Sequence, residues 1–277
     1  MKLGIAETLE HRSAKEWAEK HSGIGLSAVV FPVDCKSDKQ KILDYKKAAD
    51  DYGLVIAEVG AWCNLLDKNP QKAKDNLEFS MRTMEMADEI GAKCVVNISG
   101  SLSKEYWDGG DRENYLQETF DKVVSIIRKI ISVSNKCPFT LEPMPWMIPY
   151  DAENYLKIIQ AVNDVRFAVH MDAVNMIYSP KKYFFQKEVL SDIFDKLGNR
   201  IVSAHLKDFR LSNRLTFRLE ECAPLEGGFE TAFYLHGLEK LNSDMPVIIE
   251  HLEKDEEYLL AIDKIKRLCE QEKVIIK

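Results

Sequence analysis

Residues 167–176, FAVHMDAVNM, begin like a buried strand of an α/β protein and then turn polar. Side chains alternate between the two faces of a strand, so His170 and Asp172 point the same way, and Asn175 follows three residues later. Functional groups of parallel α/β folds gather where the strands end. An imidazole and a carboxylate in this position therefore predict a functional site at the carboxyl end of a sheet.

Outward from this segment, the chain repeats one unit: a short apolar strand followed by a helical stretch. Strands are predicted at 3–6, 26–33, 54–61, 93–100, 139–146, 166–172, 200–208 and 245–252. Eight such units predict an α/β fold, a single (β/α)8 TIM barrel that forms one domain over residues 1–277. A long irregular connection is expected between the seventh strand and a short helix near 230–241.

Composition excludes several classes of protein. The net charge of −7 argues against nucleic-acid binding, which needs a basic surface. Six cysteines lie far apart without a C-x-x-C pair, which favours a reducing compartment over a disulfide framework or a structural zinc site. No apolar run reaches the ~18 residues of a membrane span. We expect a soluble, cytoplasmic protein with no membrane partner.

Four predicted strands end in residues that suit a metal ion. They are Glu142 in TLEP, Asp172 in HMDA, His205 in AHLKD and Glu250 in IIEHL. Three carboxylates at one end of a barrel repel one another and would take up protons unless a cation lies between them. The oxygen-rich set favours Mn²⁺, with Mg²⁺ or Co²⁺ as alternatives. The competing interpretation is four ordinary polar residues exposed to solvent at strand ends.

Three residues beside this set are also interpreted from their positions. His170 is placed to donate a hydrogen bond to a ligating carboxylate. Lys207 is expected to point inward, either to contact a substrate oxygen or phosphate or as a solvated lysine at the rim. His251 alternates away from Glu250, which predicts a core histidine beneath a helix.

The predicted catalytic face carries further candidates for ligand binding. Three tryptophans follow strand ends or lie in loops on this face, where a sugar ring could stack on them, although each also suits packing: Trp62, Trp107 and Trp146. Arginines 210, 214 and 218 could hold a phosphate or be surface charges. Gly227-Gly228 precedes a helix and could present N–H groups to an anion, or form a turn.

The sequence resembles the xylose-isomerase-like barrels, a superfamily of sugar isomerases and epimerases. The resemblance covers nearly the whole chain, and TLEP, HMDAVN, AHLKD and IIEHL carry it most specifically. In the ketose 3-epimerases of that superfamily, Glu, Asp, His and Glu hold one Mn²⁺-type ion. The resemblance therefore implies metal ligands at Glu142, Asp172, His205 and Glu250, with the two glutamates as an acid/base pair. Asn175 departs from the pattern, because those enzymes have a substrate-contacting histidine there.

The resemblance implies a reaction that begins with proton abstraction beside a carbonyl of a keto-sugar or sugar phosphate. It leaves a second reaction open, since the catalytic subunits of C-glycoside deglycosidases look similar and cleave a C–C bond in 3-oxo-glycosides. Those enzymes have a small β-rich partner subunit, so such a partner or a homo-oligomer is open here. A non-catalytic sugar-binding barrel is a further alternative. A DNA-repair endonuclease of the superfamily would need histidines that SAVVFPV and VIAEVGA do not contain.

Overall fold

Parallel strands form the centre of the protein, and helices surround them. The computed structural model describes all 277 residues, Met1 to Lys277. In the first half of the chain the elements are β1 (Lys2–Ile5), α1 (Ala14–Gly23), β2 (Ala28–Val30), α2 (Lys39–Asp51), β3 (Val55–Gly60), α3 (Pro70–Ile90), β4 (Val95–Asn97) and, after a 3₁₀ turn at Arg112–Tyr115, α4 (Gln117–Ile131). Each strand is followed by a helix, as the repeated unit predicts.

The second half continues the alternation with one insertion. Its elements are β5 (Phe139–Leu141), α5 (Ala152–Val162), β6 (Phe167–Met171), α6 (Pro180–Phe184), α7 (Gln186–Leu197), β7 (Ile201–Leu206), β8 (Asp208–Leu211), β9 (Leu219–Cys222), α8 (Thr231–Leu241), β10 (Pro246–Ile249) and α9 (Asp255–Glu272), with 3₁₀ turns at Val174–Met176 and Gly198–Arg200. The barrel strands are β1 to β7 and β10.

The eight barrel strands are hydrogen-bonded in the order β1-β10-β7-β6-β5-β4-β3-β2, and every neighbouring pair is parallel. The barrel nearly closes where Ser27 N donates to Leu3 O over 3.0 Å, just before β2. A Cβ atom on Gly4 would lie 2.6 Å from Ala28 O, so a glycine is needed for this close approach. The predicted α/β barrel of eight strands is confirmed.

Burial explains why these segments form one core. Strand residues facing the helices are almost all apolar and join a cluster of 66 buried residues that runs from Met1 to Val274. The opposite face of the strands lines the barrel interior, where the small side chains of Ala28 and Ala57 pack beside Ile248. Polar groups occupy the same face at the carboxyl ends of the strands. The alternation places the site at one end of the barrel.

The connection after β7 differs from the prediction. It is not irregular throughout, because β8 and β9 pair antiparallel with Asp208 opposite Cys222 and Leu211 opposite Leu219. The prediction failed because the seventh strand was expected to run through Asp208, whereas β7 ends at Leu206. The hairpin lies at the carboxyl end of the barrel strands, beside the predicted site.

Candidate metal centre

The four predicted metal ligands lie at the carboxyl ends of four neighbouring strands. Glu142, Asp172 and Glu250 each follow directly on the last residue of β5, β6 and β10, and His205 is the last residue but one of β7. Backbone hydrogen bonds fix two of these ends: Glu142 N donates to Asn97 O over 2.8 Å, and Glu250 N donates to Leu206 O over 3.3 Å. The positions therefore follow from strand pairing.

The four side chains converge on one point inside the barrel mouth. One ligand atom of each lies within 4.8 Å of one from every other, and the residues are between 1% and 6% exposed. Bonds of ~2.0–2.6 Å to a shared cation keep its ligand atoms within ~5 Å of one another, so this spacing matches a single ion. The structure brings the predicted ligands together, and their binding of an ion stays a prediction.

Two buried atoms show that the set fits a cation. His205 Nδ1 lies 2.7 Å from Glu250 Oε2, and Asp172 Oδ2 lies 2.6 Å from Lys207 Nζ, yet neither atom has the geometry of a hydrogen bond. Buried polar atoms without such a partner are costly. Imidazole nitrogen and carboxylate oxygens within 4.8 Å of one another are a donor set that a divalent ion can share, so the residues present fit one.

Lys207 is the cation of this cluster. Its ammonium group lies 2.6 Å from Asp172 Oδ2 and donates to Glu250 Oε1 over 2.7 Å, and the residue is 2% exposed. It points inward as predicted, but it contacts these carboxylates. Although burial opposes the charge, the carboxylates of Asp172 and Glu250 hold the pKa of Lys207 well above its usual value. The lysine is therefore charged and balances part of the acidic cluster.

The pKa values of the carboxylates in this cluster shift in opposite directions. Burial, together with Glu250 and Glu142, raises the pKa of Asp172 to about 7, against the opposing effect of Lys207. Burial also disfavours the Glu250 anion, but His205 and Lys207 outweigh it and hold the pKa of Glu250 well below its usual value. Like charges in a low-dielectric site separate the pKa values of otherwise similar groups. A cation added to this site would favour the anionic form of all three carboxylates.

Two other predicted residues contact this cluster or lie beneath it. Asn175 Nδ2 donates to Glu142 Oε1 over 3.2 Å, and Asn175 N donates to Asp172 Oδ1 over 3.1 Å. His170 is fully buried, and its Nδ1 lies 3.2 Å from Ser203 Oγ and 3.4 Å from Glu58 Oε2. The prediction that His170 donates to a ligating carboxylate therefore differs from the structure, in which Glu58 is its acidic neighbour.

Glu58 was not predicted from the sequence. It lies in the middle of β3, is 3% exposed, and its Oε1 lies 3.2 Å from His205 Nε2. In VIAEVGA, strict alternation would put Glu58 on the face of Ile56, which packs in the outer core. A register shift between β2 and β3 instead turns it inward: Val29 pairs with Ile56, but Val30 pairs with Glu58. Such irregularities re-aim side chains near sites.

A pocket of about 420 Å³ opens above the ligands. It is lined by Glu142, His205, Glu250, Lys207 and Asn175, and its rim holds all three predicted tryptophans, which are 40–47% exposed: Trp62, Trp107 and Trp146. Trp146 is held by a hydrogen bond of 2.6 Å from Nε1 to Asp108 O. Asp172 and His170 lie below the pocket floor. The structure thus gathers all ten predicted site residues at one end of the barrel.

His251 was predicted to be a core histidine, and this is wrong. Its side chain is 56% exposed and lines the pocket, because its backbone has a φ of +59° that breaks the strand alternation after Glu250. Its Nδ1 lies 2.6 Å from Glu221 Oε1 at the end of β9, and its Nε2 lies 3.5 Å from Glu250 Oε2. His251 therefore connects the β8–β9 hairpin to the site.

The arginines and the Gly-Gly turn that were candidates for phosphate binding contact other groups of the protein. Arg210 Nη2 lies 3.3 Å from Glu226 Oε2, and Arg218 Nε lies 3.1 Å from Glu220 Oε1. The N–H groups of Gly227 and Phe229 donate to the carboxylate of Asp208 over 3.0 and 2.8 Å. None of these arginines or glycines lines the pocket above the ligands. The anion at the Gly-Gly turn is therefore the protein's own aspartate.

Comparison with known proteins identifies the family. The family model described as "Xylose isomerase-like TIM barrel" matches residues 21–269, which is most of the chain. The chain belongs to this family. No protein among the curated sequences matches it. The likeness read from the four strand-end motifs is thus confirmed at the level of the family.

Solved structures with the same fold include two sugar epimerases and a nuclease. A D-psicose 3-epimerase from Clostridium cellulolyticum H10 has 14% identity and a TM-score of 0.70 over 97% of this chain and 99% of that one. The 3-keto-D-glucoside 4-epimerase of E. coli has 15% identity and a TM-score of 0.71 over 97% and 98%. Endonuclease IV of Thermus thermophilus has 14% identity and a TM-score of 0.73 over 98% and 100%.

These xylose isomerase-like neighbours support the fold and do not decide the reaction. At such low identity, one barrel serves different chemistries, so function must be argued from the site. The buried cluster of Glu, Asp and His residues has the spacing to hold a divalent metal. None of the helices combines the length and the apolar character needed to cross a membrane.

Proposed function

We propose that this xylose isomerase-like protein is a divalent-metal-dependent sugar isomerase or epimerase that abstracts a proton beside the carbonyl of a keto-sugar. The observation that carries the proposal is the convergence of four ligand atoms within 4.8 Å at the floor of a pocket rimmed by tryptophans. Mn²⁺ suits the three carboxylates and one imidazole, and Mg²⁺ or Co²⁺ are the alternatives. When bound, the ion polarises substrate oxygens and stabilises the enediolate that deprotonation produces.

Glu142 and Glu250 are the proposed acid/base pair. They belong to β5 and β10, which are separated in the sheet by β6 and β7, so their carboxylates approach the centre from different sides. Asn175 holds one oxygen of Glu142, and Lys207 holds one oxygen of Glu250. A sugar bound between them has one carboxylate near each face of the carbon that loses its proton. This arrangement suits proton removal on one side and return on the other.

The charge of the pocket favours a substrate without a phosphate group. Five carboxylates line the pocket (Glu58, Asp108, Glu142, Glu221 and Glu250), and its only lysine or arginine is Lys207. That lysine already contacts two carboxylates, and the N–H groups at Gly227 and Phe229 are already bound to Asp208. The connection after the seventh barrel strand, one of the places where TIM barrels often bind phosphate, thus already holds the Asp208 carboxylate.

The pocket rim suits a neutral sugar. Trp62, Trp107 and Trp146 present apolar ring faces with a polar edge, and the carboxylates between them accept hydrogen bonds from hydroxyl groups. The proposed substrate is therefore a neutral keto-sugar, either a free ketose or an oxidised glycoside.

A C–C lyase reaction on a 3-oxo-glycoside is the second candidate. One observation bears on its substrate: the E. coli neighbour, a 3-keto-D-glucoside 4-epimerase, is named for an oxidised glycoside. Cleavage would also begin with proton abstraction beside a carbonyl, so the same glutamates would serve. A deglycosidase would be expected to need a small β-rich partner subunit, whereas an epimerase would act alone or as a homo-oligomer.

Hydrogen exchange at carbon tests the proposal directly. The Mn²⁺-loaded protein is incubated in D₂O with neutral ketoses, the matching ketose phosphates and 3-oxo-glycosides, and, after the Mn²⁺ is removed by chelation, loss of C–H signal is followed by NMR. We expect exchange in a neutral substrate and none in its phosphate. Exchange in 3-oxo-glycosides alone would identify an oxidised glycoside as the substrate, and a product with a cleaved C–C bond would then distinguish the lyase from an epimerase. Preference for phosphates would contradict the neutral substrate. A protein that exchanges no substrate and retains no divalent ion would be a binding barrel, not this enzyme.

A further inference from the structure

Glu58 is a buried acidic residue that the proposed acid/base chemistry does not use. It lies on β3, which is opposite β7 in the eight-stranded barrel, and is 3% exposed. Burying a carboxylate destabilises the fold unless its oxygens accept hydrogen bonds or bind a cation. The groups that contact the Glu58 carboxylate therefore indicate its role.

Three side chains surround the Glu58 carboxylate. Oε1 lies 3.2 Å from Nε2 of His205, while Oε2 accepts from Ser203 Oγ over 3.1 Å and lies 3.4 Å from His170 Nδ1. His170 and Ser203 are both completely buried. The hydrogen bond from Ser203, with the His170 ring beside it, restrains the second oxygen and so keeps the first oxygen next to His205.

His205 has two nitrogens in different surroundings. Nε2 faces Glu58, whereas Nδ1 faces Glu250 Oε2 at 2.7 Å and Glu142 Oε1 at 3.6 Å. A neutral imidazole carries its proton on one nitrogen only, and a hydrogen bond from that nitrogen decides which. An acceptor at Nε2 therefore leaves the lone pair of Nδ1 directed at the centre of the proposed ligands.

We propose that Glu58 is a positioning residue that keeps the proton of His205 on Nε2, so that Nδ1 is the nitrogen that binds the metal ion. The proposal rests on the proposed metal-dependent function. Ser203 and His170 hold Glu58, Glu58 orients His205, and the shifted register of β3 turns Glu58 inward. Loss of such a carboxylate typically lowers metal affinity ~10–100-fold.

A second ion is the competing interpretation of this cluster. Ligand atoms of Glu58, His170 and His205 also lie within 4.8 Å of one another. A hydrogen bond from His205 Nε2 to Glu58 uses the nitrogen that such an ion would need, and Ser203 already donates to the same carboxylate. The contacts thus fit a hydrogen-bond network beneath a single ion. The number of ions bound per chain distinguishes this arrangement from one with a second metal site.

Metal titration of Glu58→Gln tests the proposal, with Glu89→Gln as the matched control. The control makes the same substitution at an exposed glutamate of α3 that pairs with Lys39 at 3.1 Å, outside the site. Free Mn²⁺ is measured by EPR, bound Co²⁺ is counted by its absorption spectrum, and thermal unfolding in chelator checks that each variant is folded. We expect one ion per chain, a Kd for Mn²⁺ raised ~10–100-fold in Glu58→Gln, and a change of less than ~5-fold in Glu89→Gln.

The tautomer of His205 provides a readout that a general loss of stability would not produce. In the Mg²⁺-loaded protein with ¹⁵N-labelled histidine, we expect Nε2 of His205 to carry the proton, and Glu58→Gln to weaken this preference. Parent affinity in Glu58→Gln, a proton on Nδ1, or two ions per chain would overturn the role of Glu58. Failure of the parent protein itself to bind any divalent ion would instead refute the proposed function.

Discussion

Lys207 and Asp172 form an ion pair at the floor of the pocket, with 2.6 Å between Nζ and Oδ2 and almost no exposure of either side chain. Lys207 also reaches Glu250, so one ammonium group balances two of the three ligand carboxylates. Removing one partner of a buried ion pair leaves an uncompensated charge and typically costs ~3–5 kcal/mol. The pair therefore links the stability of the barrel mouth to the charge of the site.

Lys207→Met should make the protein depend on a bound cation for stability. We expect its free energy of unfolding in chelator to fall by ~3–5 kcal/mol, because the acidic cluster loses its ammonium group. Mn²⁺ should then raise the melting temperature of the variant by more than it raises that of the parent protein. Urea unfolding with EDTA or with Mn²⁺ measures both effects.

Lys264→Met is the control for Lys207→Met. Lys264 pairs with Glu226 at 2.8 Å in a partly exposed position, where an ion pair contributes ~1 kcal/mol or less. Equal stabilisation of both variants by Mn²⁺ would show that the ion does not replace the charge of Lys207.

The metal should depend on Asp172 and His205. Asp172→Ala and His205→Ala each remove one ligand atom of the cluster, so we expect both variants to lose Mn²⁺ on gel filtration while the parent retains it. Chelation by EDTA should abolish activity of the parent, and Mn²⁺ or Co²⁺ should restore it. Full activity in the metal-free protein would contradict the metal-dependent mechanism.

Much of the site was predictable because it follows strand alternation. Glu142, Asp172, His205 and Glu250 end regular strands, so the period of two gives their direction and the barrel gives their meeting point. The same reasoning placed Lys207 inward. It supplies a direction for each side chain but no distances, so it did not show that the ammonium group contacts Asp172 and Glu250.

The failures lie where the backbone departs from regular alternation. Glu58 was missed because the shift between β2 and β3 is a property of pairing, which a single sequence does not display. His251 was misplaced because its φ of +59° ends the strand pattern directly after Glu250. The β8–β9 hairpin was missed because LEEC has no clear apolar alternation and none of its residues is fully buried.

Glu142→Gln and Glu250→Gln should separate proton transfer from metal binding. The amide keeps an oxygen that can bind the ion but does not accept the substrate proton, so each variant should keep part of its Mn²⁺ affinity. General acid–base catalysis contributes ~10²–10⁴-fold, and we expect rate losses of at least that size. Steady-state kinetics at saturating Mn²⁺, together with the D₂O exchange assay, measures the effect.

Glu221→Gln is the matched control for these two variants. Glu221 lines the same pocket and contacts His251, but it lies outside the ligand cluster. Its rate should change by less than ~10-fold, since no acid–base role is assigned to it. For epimerisation, one of the two catalytic variants should still exchange the substrate proton without producing the epimer. Near-parent rates in both would exclude the two glutamates as bases.

Asp88 predicts how the barrel responds to acid. Its carboxylate lies near the end of α3 and accepts hydrogen bonds from the backbone N–H groups of Cys137, Lys136 and Asn135 at 2.7, 2.8 and 3.0 Å and from Ser134 Oγ at 3.1 Å. These bonds fix the turn that leads into β5 and so to Glu142. Although burial opposes the charge, the N–H donors lower the pKa of Asp88 to about 2.

Because the pKa of Asp88 is lowered in the folded state, its carboxylate stabilises the fold fully at pH values above the ordinary aspartate pKa of 3.8. This stabilisation is lost as the pH falls towards 2. Asp88→Asn replaces an acceptor by a group with its own N–H donors, so we expect a loss of ~1–3 kcal/mol in the free energy of unfolding at pH 7. The difference between parent and variant should shrink between pH 4 and about 2, as urea unfolding at each pH would measure.

Glu89→Gln, which removes an exposed pair with Lys39 at 3.1 Å, should cost less than ~1 kcal/mol at every pH. A constant difference for Asp88→Asn across this range would show that its charge does not fix the turn.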